Sequence, residues 1–407
     1  MTATRPRAGA LEAAGPQARA GGFGGPVALY VHIPFCERKC HYCDFNSGAY
    51  PRATRVRYVD ALVREILDTP LAGRPAGSVF FGGGTPSVLP ASDIARILAA
   101  LRARFALDGN AEVTVECNPG TIASERLAGE TTGSFLTALR DAGVNRLSFG
   151  VQSFDAALLK RLGRIHSPEQ AEQSVRMARA AGFESINVDL MFALPGQTMD
   201  HWRATLDHAL ALDVPHISAY SLIVEPETAF AMWDAEGRLP RPSEDEEAAM
   251  YRASMRCLEA AGFEQYEVSA FARPGFRSRH NQTYWRNEEY VGFGVGATSY
   301  VAGERFSREP GIGRYMSLAE SGADTVRDRE HLDVDGQMAE TMMMGLRMAD
   351  GVDRAAFARR FGRDPLDRYG ETIARFEGAG LVRVTPRAVA LTRHGFFLAN
   401  EVWEAFV

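Results

Sequence analysis

Val27-Ala-Leu-Tyr-Val-His-Ile-Pro-Phe-Cys-Glu-Arg-Lys-Cys-His-Tyr-Cys43 joins an apolar run to three cysteines, and that junction decides how the rest of the chain reads. Residues 27–33 are short, β-branched and aromatic, so they predict a buried strand. Cys36, Cys40 and Cys43 stand four and three residues apart, which lets one loop fold its thiolates around a single small object. Three ligands are one short of a closed tetrahedral site, so an iron–sulfur cluster held this way keeps one iron open to an outside ligand. A structural zinc stays open beside this reading, with His41 as fourth ligand, although its place between Cys40 and Tyr42 is awkward for convergence. A disulfide is disfavoured by the odd cysteine count and by the absence of any mark of secretion. Cys117, closing a strand, and Cys257, in a helix, have no metal-like neighbours and read as core thiols.

Beyond the loop, apolar strands at 78–81, 112–117, 145–151, 184–190 and 215–222 alternate with amphipathic helices at 53–68, 92–105, 134–142, 168–181 and 199–212. With 27–33 this makes six strands, and the alternation calls for an α/β fold with a parallel sheet. The expected architecture is a partial (β/α)6 barrel over 26–225, whose functional groups gather at the C-terminal strand ends. Cys36 follows strand one and Gly82-Gly83-Gly84-Thr85 follows strand two. Glu116 and Asn118 close strand three, Gln152 strand four and Asp189 strand five, with Glu225 just past strand six. Residues 123–136, rich in Gly, Ser and Thr, read as a surface insertion. A linking α+β region follows over 226–330, with a helix at 243–261. The end, 331–407, reads as helices at 335–348 and 365–379, a hairpin of 381–384 with 388–391, and a closing helix from near Thr392, a winged-helix-like module. Met338, Met342, Met344 and Met348 could supply a soft ligand, but their helical spacing favours core packing.

Of the 407 residues, 46% are hydrophobic and 24% charged, as in ordinary globular proteins. The formal charge of −6 argues against a nucleic-acid partner, which wants a basic face. No apolar run reaches the ~18 residues of a transmembrane helix. Residues 1–25 hold one acid, Glu12, among Ala, Gly and Arg; they read as a disordered tail more than as a targeting peptide, which implies a cytoplasmic protein.

The strand-end residues suggest a ligand. A glycine run permits close backbone approach and offers N–H groups to an anion. A methionine-derived ligand chelating the open iron through its amine and carboxylate would find anion donors in this run and Arg164, and a carboxylate for its cation in Glu116. Asp189 suits a ribose. For Arg164 and Asp189 a structural ion pair is the competing reading.

Tyr30–Cys43, FGGGTPS (81–87), VECNPG (115–120), RLSFGVQSF (146–154), NVDLMFALPGQT (187–198) and HISAYSLIVEPET (216–228) together resemble, in order, the radical S-adenosylmethionine (SAM) family of oxygen-independent coproporphyrinogen III oxidases. The resemblance implies a [4Fe–4S] cluster on Cys36, Cys40 and Cys43. It implies SAM contacts from Tyr30, Gly83, Gly84, Thr85, Glu116, Gln152, Arg164 and Asp189. Asp44-Phe45 stands where the oxidase resembles a further cysteine, the segment before strand one is short, and His280-Asn-Gln-Thr-Tyr-Trp285 resembles the HNxxYW motif of the HemW branch of heme chaperones. By that resemblance the chain binds heme near His280, Tyr284 and Trp285 and passes it to acceptor hemoproteins. Reductive SAM cleavage would need a flavodoxin- or ferredoxin-type electron donor. The residues themselves leave two roles open for His280: an axial ligand beside flat aromatic faces, or a hydrogen-bonding His while Trp285 anchors the second domain. Thr298 stands where many relatives carry a His in the glycine-rich stretch. The alternative function is a radical SAM porphyrin enzyme, either the oxidase or a type that methylates or degrades heme.

Overall fold

A computed structural model describes residues 25–123 and 131–407. Residues 1–24 of the expected tail and 124–130 of the expected insertion lie outside the described residues. Six parallel strands run side by side in chain order: β1 (Val27–Ile33), β2 (Pro75–Gly83), β3 (Ala106–Cys117), β4 (Arg146–Gln152), β5 (Ser185–Phe192) and β6 (His216–Ser221). Helices Arg52–Asp68, Ala91–Arg104, Thr132–Asp141, Pro168–Ala180 and Met199–Ala211 connect them. The outward rows of these strands, such as Val27, Leu29, Val31 and Ile33 or Leu147, Phe149 and Val151, are buried and apolar, which is why these segments read as strands. β2 and β3 start earlier than expected because their first residues, Pro75–Gly77 and 106–110, are mostly small or polar and carry little apolar signal.

The sheet continues past residue 225 at both edges. β8 (Ala270–Ala272) adds antiparallel to β6, and β7 (Glu264–Gln265) antiparallel to β8 at the outer edge. β9 (Tyr290–Phe293) adds parallel to β1, followed by antiparallel β10 (Thr298–Val301), β11 (Glu304–Arg308) and β12 (Val326–His331). The linking region is thus built into the sheet, and because β6 and β1 take different neighbours, the barrel stays open.

A smaller module ends the chain. Helices Val334–Gly345, Arg354–Phe361 and Pro365–Gly378 pack on a three-stranded sheet of β13 (Val352–Asp353), β14 (Val382–Val384) and β15 (Ala388–Leu391). Met338 and Met342 join Leu346, Phe357, Ile373, Val389 and Val402 in its core, so these methionines pack. The closing helix, Ala399–Glu404, begins later than expected because a 3₁₀ turn, Gly395–Leu398, follows Thr392.

Candidate functional site

β1 delivers the cysteine loop to the open end of the barrel. The loop is tied down by Cys36 N–H donating to Gly48 O (2.9 Å) and Gly48 N–H to Pro34 O (2.9 Å). A ring nitrogen of His32 pairs with Asn46 O (2.9 Å), and Asn46 Nδ2 donates to Pro310 O (2.9 Å). These contacts tie the loop to β1 and to the segment around Pro310. His41 turns away from the thiols: its Nδ1 pairs with Arg161 O (2.9 Å) and its ring meets the Trp233 ring edge-on at 4.9 Å. Nδ1 is thereby held on a backbone carbonyl, and among the described residues no group of three His, Cys, Asp or Glu side chains stands close enough to hold a single metal ion.

The glycine run packs against this loop. Gly84 N–H donates to Ile33 O (2.8 Å), Thr85 N–H to Phe35 O (2.7 Å) and Gly83 N–H to a Glu116 carboxyl oxygen (3.3 Å). The expected free N–H donors for an anion are therefore already engaged. What the run contributes is clearance: a Cβ at Gly84 would lie 2.7 Å from Phe35 O and 3.0 Å from Cys36 Sγ. Gly83 has φ 112°, a left-handed conformation that disfavours any side chain.

A cavity of about 420 Å³ opens between loop and strand ends. Cys36, Cys40 and Cys43 line it together with Gly83, Gly84, Thr85, Glu116, Gln152, Arg164 and Asp189. Of the expected SAM contacts, Tyr30 is not among the lining residues; its hydroxyl pairs with His32 Nδ1 (3.0 Å) and its ring stacks on Phe80. Burial, then the neighbouring Asp189, pushes the Glu116 carboxyl up to about 8 against the restraint of Gly83 N–H. Burial also raises Asp189, which donor groups from Asn187, Ser218 and Ser148 partly offset. Two carboxyls held out of water call for a cation.

Arg164 reaches the cavity because the short helix Ala156–Leu162, unseen in the sequence pattern, ends at Gly163 with φ 77° and turns the chain back over the loop. Its guanidinium donates to Cys40 Sγ (3.5 Å) and to Gly150 O, while its buried Nε has no partner among the described residues. Gln152 sits at φ 69° at the end of β4, a conformation costing about 1 kcal/mol for a non-glycine residue, and accepts a hydrogen bond from Tyr220 (2.9 Å).

Below the cavity lies a polar layer that the reading missed. Ser148, Asn187 and His216 share one register across β4, β5 and β6, and Gly150, Asp189 and Ser218 share the next. Asn187 Nδ2 donates to Asp189 (2.7 Å) and Ser148 (2.8 Å), so its Oδ1 accepts, and His216 Nδ1 (2.6 Å) must be the donor. His216 Nε2 then accepts from the Tyr266 hydroxyl (2.8 Å), whose oxygen receives Ser278 N–H (3.3 Å). Polar residues at every second position of RLSFGVQ, NVDLM and HISAY were the available signal.

Ser278 caps helix Arg279–Trp285, which carries the HNxxYW residues against the inner face of β2, the face that also bears Glu112 and the polar layer. His280 is 1% exposed; Nδ1 pairs with Ser78 Oγ (2.9 Å), Nε2 with the Tyr284 hydroxyl (2.9 Å), and the ring stacks on Phe80. Burial lowers its pKa to about 3. The expected axial ligand has no ring nitrogen free in this geometry, and neither His280, Tyr284 nor Trp285 lines the thiol cavity. The Arg347 guanidinium lies 4.5 Å from the Trp285 ring and 4.4 Å from that of Trp403, joining this helix to the terminal module.

A radical SAM superfamily profile matches residues 30–209, and a HemN C-terminal domain profile matches 332–398. The heme chaperone HemW of Bacillus subtilis is 39% identical over 383 residues, covering 93% of this chain and 99% of that protein. The chain belongs to the HemW family. Its HemW relative in Lactococcus lactis is 38% identical, with 94% and 97% covered, and that in Escherichia coli 42%, with 68% and 70% covered. Among solved structures, coproporphyrinogen III oxidase HemN of Escherichia coli superposes with a TM-score of 0.79 over 96% of this chain and 92% of its own, at 24% identity. That likeness shows the shared α/β fold on which this HemW-family chain is built.

Proposed function

We propose that this protein is a heme chaperone that binds heme and hands it to acceptor hemoproteins, with a SAM-ligated [4Fe–4S] cluster held by Cys36, Cys40 and Cys43. The observation that carries the reading is similarity to a relative named heme chaperone along 99% of that relative's length. The site supports the cofactors: three thiols line one cavity, Gly84 leaves clearance beside Cys36, and Arg164 lines the same space with a buried Nε that has no partner among the described residues. When bound, the cluster supplies an open iron for the amine and carboxylate of SAM, and an electron received from a flavodoxin- or ferredoxin-type donor.

The chain's own residues do the remaining work. Glu116 and Asp189 compensate cationic groups, and Asp189, held by Asn187 and Ser148, is oriented for a ribose hydroxyl. Arg164 serves the ligand's carboxylate in place of the engaged glycine N–H groups. Phe45 (57% exposed) and Ile223 (67% exposed) flank the cavity mouth. No helix among the described residues is long and apolar enough to cross a membrane.

The test is anaerobic: cluster-loaded protein is titrated with heme and then mixed with an apo-hemoprotein. Stoichiometric uptake followed by release is the expected result. Enzymatic loss of two carboxyls from coproporphyrinogen III, given SAM and reductant, would replace this reading with that of an oxidase.

A further inference from the structure

We infer that heme sits not over the thiol cavity but in the arginine-lined cleft between the N-terminal end of the sheet and the terminal module; this rests on the heme-chaperone reading. The cleft, about 970 Å³, is large enough for a macrocycle and is bounded by Pro26 at the start of β1, the turn Arg286–Glu289 and the helix Arg354–Phe361. The HNxxYW segment runs directly into that turn, whose residues 286–289 form one wall.

Available space and unpaired cations together favour the cleft. Heme carries two propionates on a flat apolar body. The thiol cavity sets the Glu116 and Asp189 carboxyls beside Arg38, Lys39 and Arg164, and the proposed cluster and SAM take up that space. The cleft instead presents Arg286, Arg359 and Arg383, none of which has a carboxylate within salt-bridge distance among the described residues. Most of the cleft's acids are already answered: Glu289 pairs with Arg74, Asp350 with Arg277 (2.7 Å), and Asp353 caps Ala356 N–H (2.7 Å), which leaves Glu288 beside Arg286. Met348, Val352, Phe357 and Ala388 supply the apolar wall. Met348 is the one methionine of the 338–348 series that borders the cleft.

The experiment compares hemin with its dimethyl ester, which lacks the carboxylates, by absorbance titration of the cluster-loaded full chain. Arg359→Glu combined with Arg383→Glu alters two exposed side chains. Hemin affinity should fall at least about tenfold, while binding of the ester, the cluster's spectrum and SAM affinity stay at wild-type values. Ala356→Trp, at an exposed position in the cleft wall, should block hemin and ester alike by filling the space. Wild-type hemin affinity in both variants would overturn the assignment and leave the chaperone reading standing. A wild-type chain that takes up no heme would overturn both.

Discussion

Glu116 and Asp189 are buried carboxyls with no salt-bridge partner among the described residues, and this makes ligand binding at the thiol cavity a proton-releasing event. Glu116 titrates near 8, so at neutral pH the free protein holds it largely protonated. A bound cation favours the carboxylate and expels the proton, so affinity should rise with pH up to about 8, by at most about tenfold per unit for one proton. The groups facing Glu116 are Asp189, itself raised, and the hydroxyls of Tyr30 and Tyr284, which burial keeps neutral. Calorimetry with SAM in two buffers of different ionisation enthalpy measures this, and Glu116→Gln should flatten the slope. The glycine run gives a second prediction. Gly84→Ala places a methyl group 2.7 Å from Phe35 O and 3.0 Å from Cys36 Sγ, so iron and sulfide per reconstituted chain should drop below half of wild type.

At the scale of elements, the hydrogen-bonded run from Tyr266 through His216 and Asn187 to Asp189 has a fixed direction. Tyr266→Phe removes its donor and leaves a buried histidine nitrogen unsatisfied. A loss of about 1–3 kcal/mol is expected, read by denaturant melts, together with weaker SAM binding as Asp189 loses its support. How far the sequence spoke varies by element for physical reasons. The six parallel strands were legible because each carries a buried apolar row between amphipathic helices, and the thiols because their spacing is local. β9 was not legible as a strand, since four residues inside a glycine-rich stretch carry no periodicity and its partner lies at the other end of the chain. His280 could be read as a ligand or as a clasp, because residue type alone does not tell whether its nitrogens meet Ser78 and Tyr284 or open space.

The whole molecule is organised by one sheet whose two edges are completed by the second half of the chain. Residues 25–225 alone would leave β1 without β9 and β6 without β8, two bare edges ready to pair with other copies. That fragment is predicted to elute as aggregates in size-exclusion chromatography with light scattering; a folded monomer would contradict the account. The same topology bears on how the protein is made. Ala28 emerges early from the ribosome, and its partner Tyr290 appears only after the whole barrel and the long helix Glu244–Ala260 have been translated. At ~5–20 residues per second, that edge waits on the order of tens of seconds for its neighbour. During synthesis, then, β1 is made long before β9 seals its edge, and that edge must be kept from other partners in the meantime.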